Sequence, residues 1–278
     1  YAQRSSLDGL VQDSTNQANG RMLPKKEVSY IRNSVKATVD AYDGTVTLYQ
    51  VDDKDPVLSA WMGVFPDTVK PKSEVSPDLQ AHFRYPEDLF KIQRALLTRY
   101  HVDTPGTFFQ ANDFWSVPSD PTSPDAEQRG LDQPPYYFVA SDPESKQASF
   151  QLTSVLTRLN RPILGAYITV SSDPENYGQI TVNEFPGNNQ RSGPKQAFNP
   201  MKTDGRVAES LKSLENTAKV TFGNLLTLPV GDNGILYVVT MYAQAQGEEA
   251  FPRLFRVITR YEPKEREARI GYAPTTSE

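Results

Sequence analysis

The chain has no cysteine among its 278 residues, so disulfide bonds and thiolate metal sites are excluded. Basic residues are also in deficit, because 29 Lys and Arg against 34 Asp and Glu give a net charge of −5. A mildly acidic surface argues against nucleic-acid binding and against a polybasic membrane-surface patch. Long apolar runs are missing as well. The longest, Ile235–Ala243, is half the length of a membrane span and alternates like a strand.

The sequence also lacks familiar catalytic and cofactor motifs. There is no Gly-x-Ser-x-Gly nucleophile motif and no dinucleotide-binding glycine signature. Asp52, Asp53 and Asp55 lack the glycine and the distal glutamate of a calcium-binding EF-hand loop. The sequence therefore favours a non-catalytic protein and predicts neither a cofactor nor a metal site.

Local composition predicts one α+β domain with a segment of different character at each end. Residues 1–26 are polar and lack sustained periodicity, which is typical of a linker or an arm. Residues 27–262 hold the periodic segments, and we interpret residues 263–278 as a truncated C-terminal tail. The chain starts at Tyr1 without a signal peptide, so we expect it to be an excised soluble piece of a larger protein.

The first half of the domain predicts a hairpin followed by helices. Two β-rich runs, Val35–Tyr42 and Thr45–Val51, flank an Asp-Gly turn signal. Asp-Pro and Ser-Pro pairs start two short helices at Asp55 and Ser76. A longer helix is predicted from residue 86 to about residue 100, with one apolar stripe formed by Leu89, Ile92, Leu96 and Tyr100.

The second half predicts strands interrupted by one helix over residues 204–216. A loop rich in Pro, Ser and Asp precedes them at residues 116–135, and a loop that long is either functional or mobile. The fold class is therefore α+β, with a mainly antiparallel sheet and helices concentrated in the first half. The predicted strands are rich in β-branched and aromatic residues: Tyr136–Ala140, Ala148–Thr153, Ile163–Val170, Gln179–Phe185, Lys219–Leu228, Ile235–Ala243 and Leu254–Arg260.

Two acidic residues begin the longer helix, and they have two interpretations. Glu87 and Asp88 could supply a carboxylate pair for acid–base or sugar chemistry. At a helix start they also complement the helix dipole, and Glu87 can pair with Lys91 one turn later. Adjacent helical residues point about 100° apart, so they do not converge by themselves and the structural role is favoured.

The two histidines, His82 and His101, lie just before and just after the same helix. Metal ligation there would draw on nearby carboxylates such as Asp103 and Asp113. Two histidines about 19 residues apart have no tight zinc spacing, however. We therefore favour a simpler role for His101, which is to satisfy carbonyl groups at the end of the helix.

Aromatic residues concentrate around this helix, at positions 85, 100, 108, 109, 114 and 115. Such residues most often build a core. They can also line a groove for a sugar or a peptide, because the long loop beside them permits an exposed cleft. The candidate binding residues are Tyr85, Tyr100, His101, Asp113 and Trp115.

Residues 187–195 resemble an anion-cradling loop. Gly187 and Gly193 would permit close approach, and Arg191 and Lys195 would supply positive charge. The spacing is not that of a Walker motif, so a flexible loop beside a hairpin is the favoured interpretation.

Short ordered segments between residues 28 and 262 carry a family resemblance: Tyr30–Ala37 with the hairpin that follows, His82–Phe90, Arg99–His101, Asp113–Trp115, Pro135–Tyr137, Tyr177–Gly178, Phe185–Pro186, Gly193–Gln196, Gly223–Leu226 and Leu236–Val238. Together they resemble uncharacterised protein family 0182, which comprises bacterial membrane proteins with several N-terminal spanning helices and a large extracytoplasmic region. The resemblance implies that this chain is the extracytoplasmic domain, held at the cell membrane by helices that it lacks. It supplies no catalytic residues.

The leading hypothesis is a non-catalytic binding or assembly module of the cell envelope. Its partner would be an envelope protein, a glycan or a lipid, or a second copy of the domain. The alternative is an envelope hydrolase that acts on carbohydrate or lipid through Glu87, Asp88, Asp113 or His101. In that enzyme at least two of these side chains would converge in one solvent-reachable pocket.

Overall fold

A computed structural model describes residues 30–141, 148–185, 187, 190–231, 234–246, 250–264 and 266–275. The fold is α+β with mostly antiparallel sheets and helices concentrated in the first half, which confirms the predicted class. The predicted arm at residues 1–26 lies outside the described residues.

The predicted hairpin is confirmed as strands β1 (Val35–Val39) and β2 (Val46–Gln50). They pair antiparallel, and β3 (Val69–Lys70) adds to β2 in parallel. The pairing ends at Val39 and Val46, so the turn is wider than two residues, and within it the Asp40 carboxylate accepts the backbone N–H of Tyr42 at 2.7 Å. Gly44 adopts φ +76°, a left-handed conformation that glycine adopts readily.

Two short helices begin at the predicted capping residues. Helix α1 (Pro56–Val64) starts where the Asp55 side chain accepts the backbone N–H of Val57 at 2.9 Å. Helix α2 (Pro77–Ala81) starts where the Ser76 side chain accepts from Leu79 at 3.2 Å. Proline at the first helical position costs no hydrogen bond, because that N–H has no partner within the helix.

The longer helix, α3, runs over Glu87–Tyr100, but its predicted apolar stripe is wrong in part. Leu96 is 48% exposed and Tyr100 is 69% exposed. Ile92 is buried as predicted, and the buried face also carries Phe90, Lys91 and Arg94. The reason is that charged residues occupy inner positions, where they find partners. Arg94, for example, donates to the carbonyl of Gln133 and the hydroxyl of Ser154, both at 2.9 Å.

The predicted loop at residues 116–135 follows an unpredicted helix, α4 (Pro105–Gln110), and the short strand β4 (Trp115–Ser116). The loop contains helix α5 (Ala126–Arg129) and is anchored by buried side chains. Leu131 is 3% exposed, and Gln133, which is 4% exposed, donates to the carbonyl of Leu225 at 3.0 Å.

The central sheet is built on a long strand, β6 (Ala148–Arg158). Strand β7 (Leu164–Ser171) pairs along one edge of β6, and β8 (Ile180–Glu184) pairs with β7. The other edge is shared by β5 (Tyr136–Ser141) and β4, which pair with successive parts of β6. All of these pairings are antiparallel, as predicted for this half of the chain.

The C-terminal sheet repeats this plan around β11 (Gly234–Ala245). Strand β12 (Arg253–Glu262) pairs along one edge of β11 and then with β13 (Arg269–Ala273), which was not predicted. The other edge is shared by β9 (Ala218–Phe222) and β10 (Leu226–Val230). Two helices precede this sheet, α6 (Pro194–Thr203), also unpredicted, and α7 (Gly205–Leu214), which confirms the predicted helix.

The central sheet separates two hydrophobic cores because successive side chains of a strand point to opposite faces. Leu152 and Leu156 of β6 pack with Phe90 of α3 on one face. Val155 of β6 packs with residues of α6, α7 and β11 on the other. Helix α3 is therefore seated on the central sheet, and its two ends position the two cavities described next.

Candidate functional site

Helix α3 separates the five candidate binding residues into two groups. Tyr85 lies just before the helix, whereas Tyr100 is its last residue and His101 caps its C-terminus. A 14-residue helix is about 20 Å long. Asp113 and Trp115 lie at the C-terminal end, because the His101 ring contacts both of them. The structure thus brings four candidates together and leaves Tyr85 at a separate place.

A groove of about 730 Å³ lies at the C-terminal end of α3, and we call it the aromatic groove. Of the five candidates, Tyr100 and Trp115 line it directly. His101 and Asp113 support Trp115 and the chain next to it. The lining residues are Ala95, Leu96, Thr98, Arg99, Tyr100, Ala111, Phe114, Trp115, Ser116, Val117, Asp132 and Leu159.

Exposed aromatic rings stand along this groove and beside it. Tyr100 is 69% exposed and its ring centroid lies 5.8 Å from that of Phe108. Phe108 in turn contacts Phe114, edge to face, at 5.3 Å. The next residue, Phe109, is 91% exposed. Contiguous apolar surface of this kind marks binding sites more often than scattered exposed residues do.

The unpredicted helix α4 presents these rings. The Thr104 hydroxyl caps it by accepting the backbone N–H of Thr107 at 3.2 Å, and proline follows the cap. Ala111 ends the helix in a left-handed conformation with φ +55°. The Thr-Pro pair was the available sequence signal for α4, of the same kind that identified α1 and α2.

His101 has a structural role, as its position at the helix end predicted. Its Nδ1 lies 2.7 Å from the carbonyl oxygen of Leu97, and its Nε2 lies 2.9 Å from that of Asp113. Its ring stacks on Trp115 with centroids 3.5 Å apart and an interplanar angle of 6°. Both ring nitrogens therefore face backbone acceptors, and neither is directed at the groove for proton transfer or metal binding.

Trp115 forms a wall of the groove and is only 4% exposed. One face of its ring is covered by His101. Gly165 lies against the indole, since a Cβ at that position would come within 2.7 Å of Cδ1 of Trp115. The lining ring that can meet a ligand with most of its surface is consequently that of Tyr100, which is 69% exposed.

Asp113 contributes its backbone carbonyl to His101, while its carboxylate faces elsewhere. The carboxylate lies 3.9 Å from the Arg158 guanidinium and is 61% exposed. Arg158 also donates to the carbonyl of Phe185 at 2.9 Å. An exposed ion pair of this length contributes little stability, and the two groups do not form a His–Asp dyad.

The acidic residues Glu87 and Asp88 lie at the opposite end of α3 from the groove. Glu87 pairs with Lys91 at 2.6 Å, which confirms the predicted pairing, and Asp88 lies 3.7 Å from the same amine. The Lys91 side chain is 1% exposed, so both carboxylates compensate a buried positive charge. The four residues of the hydrolase hypothesis therefore do not converge in one pocket.

No three His, Asp or Glu side chains within the described ranges lie close enough together to hold a metal ion. His82 caps helix α2 and its Nδ1 lies 2.7 Å from the carbonyl oxygen of Asp78. Both histidines thus serve helix ends.

Tyr85 lines a second, smaller cavity of about 210 Å³, which we call the Tyr177 cavity. Tyr85 is 6% exposed, and its ring lies 5.8 Å from that of Tyr177. Its hydroxyl donates to the side chain of Gln93 at 2.9 Å. The lining residues are Asn33, Val51, Lys72, Val75, Gln80, Phe83, Tyr85, Pro174, Tyr177 and Gly178.

A hydrogen-bond cluster holds one wall of the Tyr177 cavity in place. The Arg84 carbonyl accepts from the Lys36 amine at 2.6 Å and from the Tyr177 hydroxyl at 2.9 Å. Asn33 donates to the same hydroxyl at 3.0 Å. Burial raises the pKa of Tyr177 to about 12 and lowers the pKa of Lys36 to about 8. Sequence reasoning missed this cluster because Asn33 and Tyr177 are 144 residues apart.

The described part of residues 187–195 does not support the anion-cradle hypothesis. It does not support a loop that is flexible throughout either, because Arg191 is anchored and Lys195 lies in a helix. Arg191 is 3% exposed and donates to the carbonyl of Pro263 at 2.9 Å. Lys195 lies in helix α6 and pairs with Glu127. Residues 186, 188 and 189 lie outside the described residues.

The chain belongs to Uncharacterised protein family (UPF0182), whose sequence profile matches residues 1–214. This agrees with the resemblance noted in the sequence. None of the helices in the described part of the chain is long and apolar enough to cross a membrane. No solved structure matches the chain significantly.

Relatives resemble the chain over its full length but are much longer. A UPF0182 protein of Rhodococcus erythropolis is 58% identical over 278 residues, which cover 100% of this chain and 28% of that protein. A UPF0182 protein of Nocardia farcinica is 54% identical over 281 residues, with coverage of 100% and 28%. One of Mycolicibacterium vanbaalenii is 54% identical over 282 residues, with coverage of 99% and 27%. The chain thus spans under a third of these relatives.

Proposed function

We propose that this chain is an extracytoplasmic, non-catalytic binding module of a membrane-tethered protein of the bacterial cell envelope, and that its aromatic groove binds an envelope glycan. The tether and the envelope location rest on the family resemblance. The observation that carries the proposed binding role is the exposure of Tyr100, which is 69% exposed in the lining of a groove of about 730 Å³ and whose ring contacts Phe108.

The groove combines aromatic faces with a few polar groups, which suits a sugar. Pyranose rings have apolar C–H faces that pack on aromatic rings and hydroxyl groups that need hydrogen-bond partners. Arg99 is exposed and can donate to such hydroxyls, and Ser116 lies in the lining with a side-chain hydroxyl. The groove is open, so it could receive an internal segment of a polymer as well as an end.

The candidate catalytic groups already contact other groups of the protein, which supports binding without catalysis. Both ring nitrogens of His101 face carbonyls, and the Asp113 carboxylate faces Arg158. Glu87 and Asp88 compensate Lys91 at the far end of α3. A general acid and base must reach the same substrate atoms within hydrogen-bond distance, which these positions do not allow.

The test is a titration of soluble oligosaccharides from bacterial envelope polymers into the 278-residue chain, followed by NMR and by tryptophan fluorescence. Tyr100→Ala is expected to weaken binding by about tenfold, the usual cost of losing an aromatic anchor. Phe251→Ala is the matched control, because Phe251 is 81% exposed and lies outside the groove.

Two results would contradict the proposal. One is the absence of any shift at groove residues across the oligosaccharide panel. The other is equal affinity of Tyr100→Ala and the unmodified chain. A panel of lipid headgroups and light scattering at several concentrations, run in parallel, would show whether a lipid or a second copy occupies the groove instead.

A further inference from the structure

The Tyr177 cavity is formed by three parts of the chain that are distant in sequence. Asn33 and Val51 come from the two ends of the N-terminal hairpin. Val75 and Phe83 flank helix α2, and Tyr177 lies in the connection between β7 and β8. A cavity at such a junction is a common place for a small-molecule site.

The volume of the cavity indicates the size of the ligand. A dry cavity of about 150 Å³ in another protein is large enough to bind benzene. At about 210 Å³ the Tyr177 cavity has room for one six-membered ring and a small substituent. Its walls suit a ring, because Phe83, Tyr85 and Tyr177 present aromatic surface and two valines present methyl groups.

The charge of the lining indicates the nature of the substituent. Within the described residues, Lys72 is the charged side chain of the lining, and no carboxylate accompanies it. The nearest acid in sequence, Glu74, lies 3.8 Å from Lys70. The amides of Asn33 and Gln80 complete the polar part of the lining. An anion would therefore meet a positive charge and hydrogen-bonding groups without facing a negative one.

We infer that the Tyr177 cavity binds a monocyclic organic anion, a ring of five or six atoms that carries one carboxylate. The ring lies between the aromatic walls and the valine methyl groups, and the carboxylate lies towards Lys72. This site is independent of the groove proposed for glycan binding, because the two lie at opposite ends of α3.

The cavity is held open by fixed backbone and side-chain contacts. Gly178 adopts φ +82°, and a Cβ there would lie 3.3 Å from the Tyr85 ring. The Tyr177 hydroxyl is fixed by Arg84 and Asn33. A ligand therefore pays little ordering cost on entry, which favours measurable affinity for a small molecule.

The test compares benzoate with its neutral counterpart benzamide, by calorimetry and NMR at low ionic strength, on the 278-residue chain. Benzoate is expected to bind more tightly than benzamide by about threefold to fivefold, the size of a partly exposed charge interaction. Lys72→Met should remove this difference. Lys212→Met is the matched control and should retain it, because Lys212 lies in helix α7, outside the lining.

Val75→Trp should abolish binding of both compounds by filling the cavity. Intermolecular NOEs from benzoate to the methyl groups of Val51 and Val75 in the unmodified chain locate the ligand independently of any variant. Three outcomes would overturn the inference: no binding of benzoate, NOEs to other residues, or a preference for benzoate that survives Lys72→Met. None of them bears on the aromatic groove, which a titration of Tyr100→Ala reports separately.

Discussion

The hydroxyl of Tyr136 connects the central and C-terminal sheets, and its removal tests whether this contact holds them together. Tyr136 begins β5, and its hydroxyl accepts the backbone N–H of Thr227 in β10 at 2.8 Å. Both residues are buried, with 7% and 1% of their surface exposed. Tyr136→Phe keeps the ring but leaves a buried N–H without this acceptor.

The expected cost is about 1–3 kcal/mol of unfolding free energy, the penalty for a buried donor that loses its partner. For a chain of this size each kcal/mol lowers the melting temperature by about 2–4 °C. Urea denaturation measures the change as a lower midpoint with an unchanged slope. Tyr42→Phe is the control, because Tyr42 is fully exposed and should change stability by less than about 0.5 kcal/mol.

A loss below about 0.5 kcal/mol for Tyr136→Phe, equal to that of the control, would refute the reasoning. It would mean that Thr227 finds another acceptor or that water reaches it. A change in the slope of the denaturation curve would point to a different problem, namely that the two sheets no longer unfold together.

Three further predictions concern other features of the fold. Gly165→Ala should destabilise the domain by about 1–3 kcal/mol, because the added Cβ would collide with Trp115. Gly63→Ala is the contrasting variant: the space around Gly63 is open, so the substitution should stabilise helix α1 by about 0.5–1 kcal/mol. Calorimetric melting measures both changes. Burial raises the pKa of Tyr136, Tyr137 and Tyr177 from 10.0 to about 12. Between these pH values the folded state holds more protons than the unfolded state, so the free energy of unfolding should fall as the pH rises from about 10 to about 12. A base titration followed by tyrosinate absorbance and circular dichroism checks this. Burial lowers the pKa of Lys36 to about 8, so a larger fraction of its amine is neutral at about pH 8. Lys36 should therefore react with a limiting amine-acylating reagent before the exposed Lys70 does, as peptide mass spectrometry would show. Equal labelling of the two lysines would contradict this prediction.

Elements with local signals were predictable from the sequence. The Asp-Gly turn and the caps at Asp55 and Ser76 depend on residues within about four positions of each other, so the hairpin and helices α1 and α2 begin near the expected places. Helix α7 likewise begins after Asp204, whose side chain accepts the N–H of Arg206. In each case the determining contact is local.

Elements whose form depends on a distant partner were predicted less well. The segment 219–228 was expected to be one strand, but the structure has β9 and β10 with Gly223 between them. A Cβ at Gly223 would lie 2.3 Å from the Thr240 hydroxyl, and the Gly223 N–H donates to the Thr240 carbonyl at 2.8 Å. The break reflects how two short strands share one edge of β11, which no local pattern in 219–228 reports.

The apolar stripe of helix α3 was predicted correctly at Leu89 and Ile92, which lie in or against the core, and wrongly at Leu96 and Tyr100. Arg94, a charged residue outside the predicted stripe, is 1% exposed and donates to Ser154 on β6. Leu96 and Tyr100, nearer the C-terminal end of the helix, are 48% and 69% exposed. The candidate binding residues remain a prediction: four of them lie together at the C-terminal end of α3, and Tyr85 lines a separate cavity.

The seating of α3 also bears on whether the two proposed sites communicate. Arg94 is buried on its inner face and donates to Gln133 and Ser154 outside the helix, so it would lose both hydrogen bonds if the helix shifted on the sheet. A sliding α3 is therefore costly, and the groove and the cavity share no lining residue. Effects of groove and cavity substitutions on ligand affinity should accordingly add, as they do for distant sites without a common partner. Coupling between them would require α3 to move, so a measured coupling energy would report on the helix itself and not on either ligand.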